Sequence, residues 1–113
     1  MISNIKPYCC CRQCLNTNKN YYIEVRNQCT HYLNFLLCYK INGKRVMKAS
    51  PAFAPGKVQH IVFPGDATEL CLTIFDSSFN PPSLICSKLP SAHIINRYKV
   101  VNTSYNNFEC INI

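Results

Sequence analysis

The chain has 113 residues, of which 48% are apolar and only 15% are charged. This length is typical of one domain with one modest core, and the composition excludes a disordered polar tail. No run of about 20 apolar residues is present, so no membrane-spanning helix is predicted. Twelve basic residues against five acidic ones leave a net charge of +7. That balance favours polyanionic partners, such as nucleic acid, an anionic membrane face or a sulfated glycan.

Residues 1–19 differ in composition from the rest of the chain. They contain four of the nine cysteines and a polar run, and they show no periodicity of 2 or 3.6 residues. We therefore predict an irregular cysteine-rich arm, residues 1–19, packed on a folded domain of residues 20–113. The first eight residues lack the apolar core of a signal peptide. The chain is thus expected to be either a cytosolic protein or a mature form with an added start methionine.

Alternating apolar and polar residues predict six or seven strands. They span residues 21–26, 31–41, 44–49, 57–63, 68–75, 94–101 and 108–113. Asn42-Gly43 predicts a type I′ hairpin turn, and Pro64-Gly65-Asp66 predicts a type II turn. The region 77–90 contains Pro81 and Pro82 and is predicted as a long loop. The fold class that follows is all-β: one small antiparallel β-sandwich with the arm attached by disulfides.

The cysteines are the main candidates for covalent stabilisation. An odd number allows at most four intrachain disulfides and leaves one thiol, which could link two chains into a covalent homodimer. Neighbouring cysteines bridge one another poorly, so the four in the arm are expected to pair with four of the other five. The candidates are Cys9, Cys10, Cys11, Cys14, Cys29, Cys38, Cys71, Cys86 and Cys110.

A zinc site is the competing interpretation of these cysteines. Cys11 and Cys14 form a C-x2-C pair, and Cys29 and His31 follow fifteen residues later. Four such ligands could close a tetrahedral site, although the second half lacks the spacing of a complete zinc knuckle. The primary prediction is no cofactor, with zinc as the alternative.

Two further features suggest surface contacts. Five basic residues form an acid-free stretch that predicts an anionic binding patch: Lys40, Lys44, Arg45, Lys48 and Lys57. Asn102-Thr103-Ser104 is a glycosylation sequon on a predicted turn, with Asn102 as the acceptor in a secreted protein. No motif combines a nucleophile, a base and an orienting group, so no catalytic residue is predicted.

The function expected from these features is binding without catalysis. The first hypothesis is a disulfide-stabilised, secreted interaction protein or effector whose target is a protein or an anionic surface glycan. The alternative, from the charge and the Cys11–His31 pattern, is an intracellular zinc-binding accessory protein of viral type that binds nucleic acid and resides in the cytoplasm.

Overall fold

A computed structural model describes residues 20–113, which form eight β-strands. The strands are β1 Asn20–Gln28, β2 Leu33–Ile41, β3 Lys44–Ala49, β4 Val58–Pro64, β5 Thr68–Asp76, β6 Ser83–Lys88, β7 Asn96–Ser104 and β8 Asn107–Asn112. The predicted arm, residues 1–19, lies outside the described residues. Within residues 20–113, no helix has the length and apolar character needed to cross a membrane.

The strands form two four-stranded sheets. Sheet A has the order β4-β1-β7-β8, and sheet B has the order β3-β2-β5-β6. All pairings are antiparallel except β1 with β7, which run parallel. The predicted β-sandwich is therefore confirmed, with this one parallel pair as a difference. Hairpin signals could not reveal the pair, because its two strands are far apart in the chain.

The core fills the space between the two sheets. Alternate residues of each central strand point inward, as expected for strands with one buried face. Sheet A contributes Ile23, Val25, Ile61, Phe63, Tyr98 and Val100, and sheet B contributes Leu33, Phe35, Leu37, Tyr39, Leu70, Leu72 and Ile74. All are fully or nearly fully buried. The inner faces are the apolar faces of the alternating pattern that predicted these strands.

Strand β6 was missed by the sequence analysis. It lies inside the region 77–90 that was predicted as a loop, and it begins directly after Pro81 and Pro82. Its residues alternate poorly because β6 is an edge strand with only partly buried side chains. The two prolines end the preceding loop and do not enter the β-ladder, which is consistent with their lack of an N–H donor.

The two predicted turns have different outcomes. Asn42 and Gly43 have φ values of 52° and 76°, as a type I′ turn requires. The type II prediction was wrong, because Gly65 is not among the residues with positive φ. Pro64 instead occupies the first turn position, and its carbonyl accepts a hydrogen bond from Ala67 N at 3.1 Å.

The open sides of the sandwich are closed in two ways. On one side, Lys48 of β3 donates its Nζ to the carbonyl of Val62 in β4 at 2.8 Å. On the other side, a disulfide joins Cys86 of β6 to Cys110 of β8. Both cysteines belong to the predicted disulfide set. The bond links the edge strands of the two sheets across a sequence separation of 24 residues.

Candidate functional site: the cleft at the loop end

Four loops meet at one end of the sandwich, here called the loop end. They are residues 29–32, 50–57, 77–82 and 105–106, which connect β1 to β2, β3 to β4, β5 to β6 and β7 to β8. Exposed aromatic side chains gather there: Tyr32 is 51% exposed, Phe79 53% and Tyr105 82%. Isolated exposed apolar residues are ordinary, but several at one end mark a candidate interaction site.

Asn27 holds two of these loops together. The residue is 1% exposed, and its Nδ2 donates to the carbonyls of His31 and Phe53 at 2.7 and 3.1 Å. Its Oδ1 accepts a hydrogen bond from the backbone N of Cys29 at 3.0 Å. A buried amide with its donors and acceptor satisfied fixes local geometry. Asn27 was not identified from the sequence, where it resembled an ordinary polar residue at a strand end.

A buried histidine–carboxylate pair lies next to these contacts. His31 Nδ1 is 2.7 Å from Asp76 Oδ2, and the two side chains are 16% and 2% exposed. The other oxygen, Asp76 Oδ1, accepts a hydrogen bond from Ser78 N at 3.0 Å. The His31 ring meets the ring of Phe108 edge to face at 5.2 Å. The pair thus fixes β5, the first loop and β8 relative to one another.

A cleft of about 420 Å³ opens beside this pair. Strand β6 forms one wall and β8 the other, and the nearby disulfide joins these two strands. Leu84 and Ile85 line the cleft, together with two aromatic rings and four polar side chains. These are Phe79, Phe108, Asp76, Ser83, Asn106 and Asn107. A concave site with a few convergent polar groups is the usual form of a small-ligand site.

Cys29 lies close to the His31–Asp76 pair, but its thiol does not have the properties of a nucleophile. The Sγ donates to Asn27 Oδ1 at 2.9 Å and contacts the carbonyl of His31 at 3.4 Å. Burial, with a smaller contribution from the charge of Asp76, raises the pKa of the Cys29 thiol. A reactive cysteine needs a lowered pKa and access to solvent.

The remaining cysteines fall into two groups. Cys38 and Cys71 are half-buried, lie opposite each other across β2 and β5, and form no disulfide with another of the described cysteines. Cys29 likewise forms no disulfide within residues 20–113. The arm cysteines Cys9, Cys10, Cys11 and Cys14 lie outside the described residues, so the predicted bonds from arm to body remain predictions.

The alternative zinc set is only half within the described residues. Cys29 Sγ contacts the backbone carbonyl of His31, and the His31 ring pairs with Asp76. Cys11 and Cys14 lie outside the described residues. Across residues 20–113, no group of three or more metal-ligating side chains comes together.

The predicted basic patch is divided by the fold. Lys40 and Arg45 both approach Glu69, at 3.5 and 3.9 Å, near the β2–β3 hairpin that also carries Lys44. Lys48 is hydrogen bonded at the β3–β4 side. Lys57 lies in the β3–β4 loop, at the opposite end of the sandwich from the hairpin turn. The structure brings three of the five residues together.

Asn102, the predicted glycosylation acceptor, has a structural role at the loop end. Its Oδ1 accepts a hydrogen bond from the backbone N of Thr30 at 2.9 Å. Its Nδ2 contacts the carbonyls of Ser104 and Tyr105 at 3.3 and 3.5 Å. The side chain therefore connects the β1–β2 and β7–β8 loops.

Comparison with known proteins gives structural neighbours only. Neither a protein-family model nor a curated protein sequence matches the chain. Among solved structures, suilysin from Streptococcus suis is similar over 85% of this chain, with a TM-score of 0.57 and 12% identity. The human-specific toxin intermedilysin is similar over 84% of the chain, with a TM-score of 0.56 and 12% identity.

Suilysin and intermedilysin are much longer proteins, and the similarity covers one part of each. The chain spans 24% of suilysin and 24% of intermedilysin. It spans 96% of the isolated membrane-binding domain of pneumolysin, with 82% of this chain covered, a TM-score of 0.56 and 11% identity. At such low identity the likeness shows a shared fold. The chain thus has the fold of that separately solved domain.

Proposed function

We propose that this protein is a non-enzymatic binding domain that works outside the cell and recognises a cell-surface glycan in the cleft at the loop end. The observation that carries the proposal is the composition of that cleft. Phe79 and Phe108 supply aromatic surface, and Ser83, Asn106 and Asn107 supply hydrogen-bonding groups. A sugar ring presents apolar C–H faces and a rim of hydroxyl groups, so it needs both kinds of contact.

The geometry of the cleft suits a ligand of one or two sugar rings. Its volume of about 420 Å³ lies in the usual range for small-ligand sites. The disulfide between Cys86 and Cys110 joins its two walls, and the His31–Asp76 contact holds the β1–β2 loop against β5 beside it. A site held in this way loses little conformational entropy on binding.

The structural neighbours support a target at the cell surface. One is the membrane-binding domain of pneumolysin, and another is the sugar-binding protein pneumolysin. These descriptions concern those toxins, and the shared fold makes a surface target reasonable for this chain. The Cys86–Cys110 disulfide also supports an oxidising, extracellular location.

The chemistry near the cleft favours binding over catalysis. Asp76 is the single carboxylate among the cleft residues, whereas glycoside hydrolysis uses a pair of carboxylates on either side of the bond. Cys29 carries a thiol with a raised pKa, bound to Asn27 and to a backbone carbonyl. These arrangements suit a structural role for both residues.

A glycan array followed by titration with the best ligand tests the proposal. Phe79→Ala should weaken binding about tenfold, because it removes the exposed aromatic wall. Tyr105→Ala is the matched control, since Tyr105 is an exposed aromatic residue at the same end that does not line the cleft. It should change affinity less than about twofold.

Three results would contradict the proposal. One is no binding to any glycan by wild-type protein that is shown to be folded. Another is an equal effect of Phe79→Ala and Tyr105→Ala, which would mean that the aromatic end contacts its target without using the cleft. The third is binding of a deglycosylated cell-surface protein with unchanged affinity, which would make the target a protein.

A further inference from the structure

A second feature lies on the outer face of sheet A, away from the cleft. Tyr22, Glu24 and Arg26 of β1 point outward, since Ile23 and Val25 between them are in the core. By the same alternation, Arg97 and Lys99 of β7 point outward on either side of buried Tyr98. The register pairs Glu24 with Arg97 and Arg26 with Lys99. The three basic side chains thus lie on neighbouring strands of one flat face.

Glu24 is buried beneath these basic groups. Its side chain is 8% exposed, although it lies on the solvent side of the sheet. Arg26 Nε donates to Glu24 Oε2 at 2.7 Å, and His60 Nε2 of β4 lies 3.1 Å from Glu24 Oε1. Arg97 Nε is 3.8 Å from the same Oε1. Burial raises the pKa of Glu24, and the hydrogen bonds from Arg26 and His60 outweigh that effect, so its pKa is lowered. Glu24 is therefore a fixed negative anchor.

The contacts with Glu24 leave the terminal nitrogens of the Arg26 guanidinium available for a ligand. Arg26 uses only Nε toward Glu24, and among the described contacts its two Nη groups make no hydrogen bond. Arg97 donates Nη2 to the Tyr22 hydroxyl at 3.1 Å, and its guanidinium lies over the Tyr22 ring at 6.0 Å. Both guanidinium groups are oriented, yet the two arginine side chains are 44% and 45% exposed. An oriented guanidinium binds an oxyanion with little further loss of entropy.

The charge on this face is unbalanced. Arg26, Arg97 and Lys99 stand against the single carboxylate of Glu24 on the two central strands, and His60 adds positive charge when it is protonated. The other carboxylate on the face, Glu109, lies opposite Val101 on the edge strand β8. The centre of the face therefore carries excess positive charge.

We propose that the outer face of sheet A binds a sulfated glycan, with Arg26, Arg97 and Lys99 contacting its sulfate groups and Glu24 positioning the arginines. The surface is separate from the cleft, so binding at one site can be present or absent without the other.

The Tyr22 ring is covered by Arg97 and by the edge of His60 at 5.1 Å, which leaves no open platform for stacked bases. The exposed apolar residues of β4 are the short Val58 and Val62, whereas binding to a membrane surface uses Trp, Phe or Leu.

The test compares two variants that each remove two positive charges. Arg97→Gln/Lys99→Gln alters the proposed face and keeps the Arg26 and His60 contacts to Glu24. Lys44→Gln/Arg45→Gln alters the hairpin of sheet B and is the matched control. The probe is a heparin oligosaccharide, titrated at several salt concentrations. The sheet A variant should weaken binding about tenfold and reduce its salt dependence, while the hairpin variant should stay within about twofold.

Additional arms separate the possible outcomes. Desulfated heparin should not bind, and neither vesicles of phosphatidylserine and phosphatidylcholine nor single-stranded RNA should compete with heparin. Phe79→Ala should leave heparin binding unchanged, because the proposed site on sheet A does not include the cleft. Equal losses of heparin affinity in the two charge variants would overturn the proposal, because binding would then depend on net charge alone. A larger loss in the hairpin variant would also overturn it and would place the heparin site on that hairpin. Preferred binding to the vesicles or the RNA would also overturn it. A thermal melt of each variant identifies any loss that comes from unfolding.

Discussion

The loop end and the outer face of sheet A both contain a buried carboxylate next to a histidine, but the two carboxylates are supported differently. Asp76 meets His31 at 2.7 Å, and His31 is its sole ion-pair partner among the described residues. Glu24 meets His60 at 3.1 Å and also Arg26 and Arg97. Arginine stays charged at all ordinary pH values. Glu24 therefore keeps cationic partners whatever the state of its histidine, whereas Asp76 depends on one imidazole.

The difference shows what each region needs for stability. At the loop end, strands from both sheets meet around the cleft, and their relative positions depend on a few specific contacts: the disulfide, the Asn27 amide and the His31–Asp76 pair. On sheet A, the β-ladders already fix β4, β1 and β7. The side-chain cluster there adds charge to strands that backbone hydrogen bonds already hold together. Loss of one contact should accordingly matter more at the loop end.

The largest effect is expected from removal of the disulfide in Cys86→Ser/Cys110→Ser. The bond closes a loop of 24 residues, and its loss should cost about 3 kcal/mol of unfolding free energy. Because β6 and β8 form the walls of the cleft, glycan binding should fall while heparin binding by folded protein is retained. Urea denaturation and the two titrations measure this. Parallel loss of both activities in folded protein would show that the two regions are not independent.

Replacing each histidine gives the most direct test of the comparison. His31→Ala leaves the buried Asp76 carboxylate without its side-chain hydrogen-bond partner and should reduce the unfolding free energy by about 2 kcal/mol. His60→Ala leaves Glu24 bound to Arg26 and should cost about 0.5 kcal/mol. Urea denaturation of both variants at neutral pH provides the measurement. Similar losses of unfolding free energy in the two variants would mean that Arg26 and Arg97 do not make up for the missing histidine at Glu24.

The sequence predicted the local features of this fold because these depend on neighbouring residues. The alternation in β2 and β5 and the Asn42-Gly43 turn could be interpreted directly. Strand β6 was missed because an edge strand needs little alternation. The cluster at Glu24 depends on the pairing of β1 with β4 and β7, which the sequence does not encode locally. His31 and Asp76 are likewise 45 residues apart. Only the folded chain shows that such residues meet.

The smallest effect is expected in the dependence of stability on pH. The pKa of Glu24 is lowered in the folded protein, so it adds stability that is present above the ordinary glutamate pKa of about 4.3 and is lost as the pH falls through the folded value. Glu24→Gln should therefore be less stable than wild type near neutral pH, with a difference that shrinks toward acid pH. Glu109→Gln is the control: it removes a carboxylate from the same face that has no ion-pair partner among the described residues, and near neutral pH it should change the unfolding free energy by less than about 0.5 kcal/mol. A difference between Glu24→Gln and wild type that stays constant with pH would show that Glu24 stabilises the sheet by packing alone, and it would remove the anchor on which the oriented arginines depend.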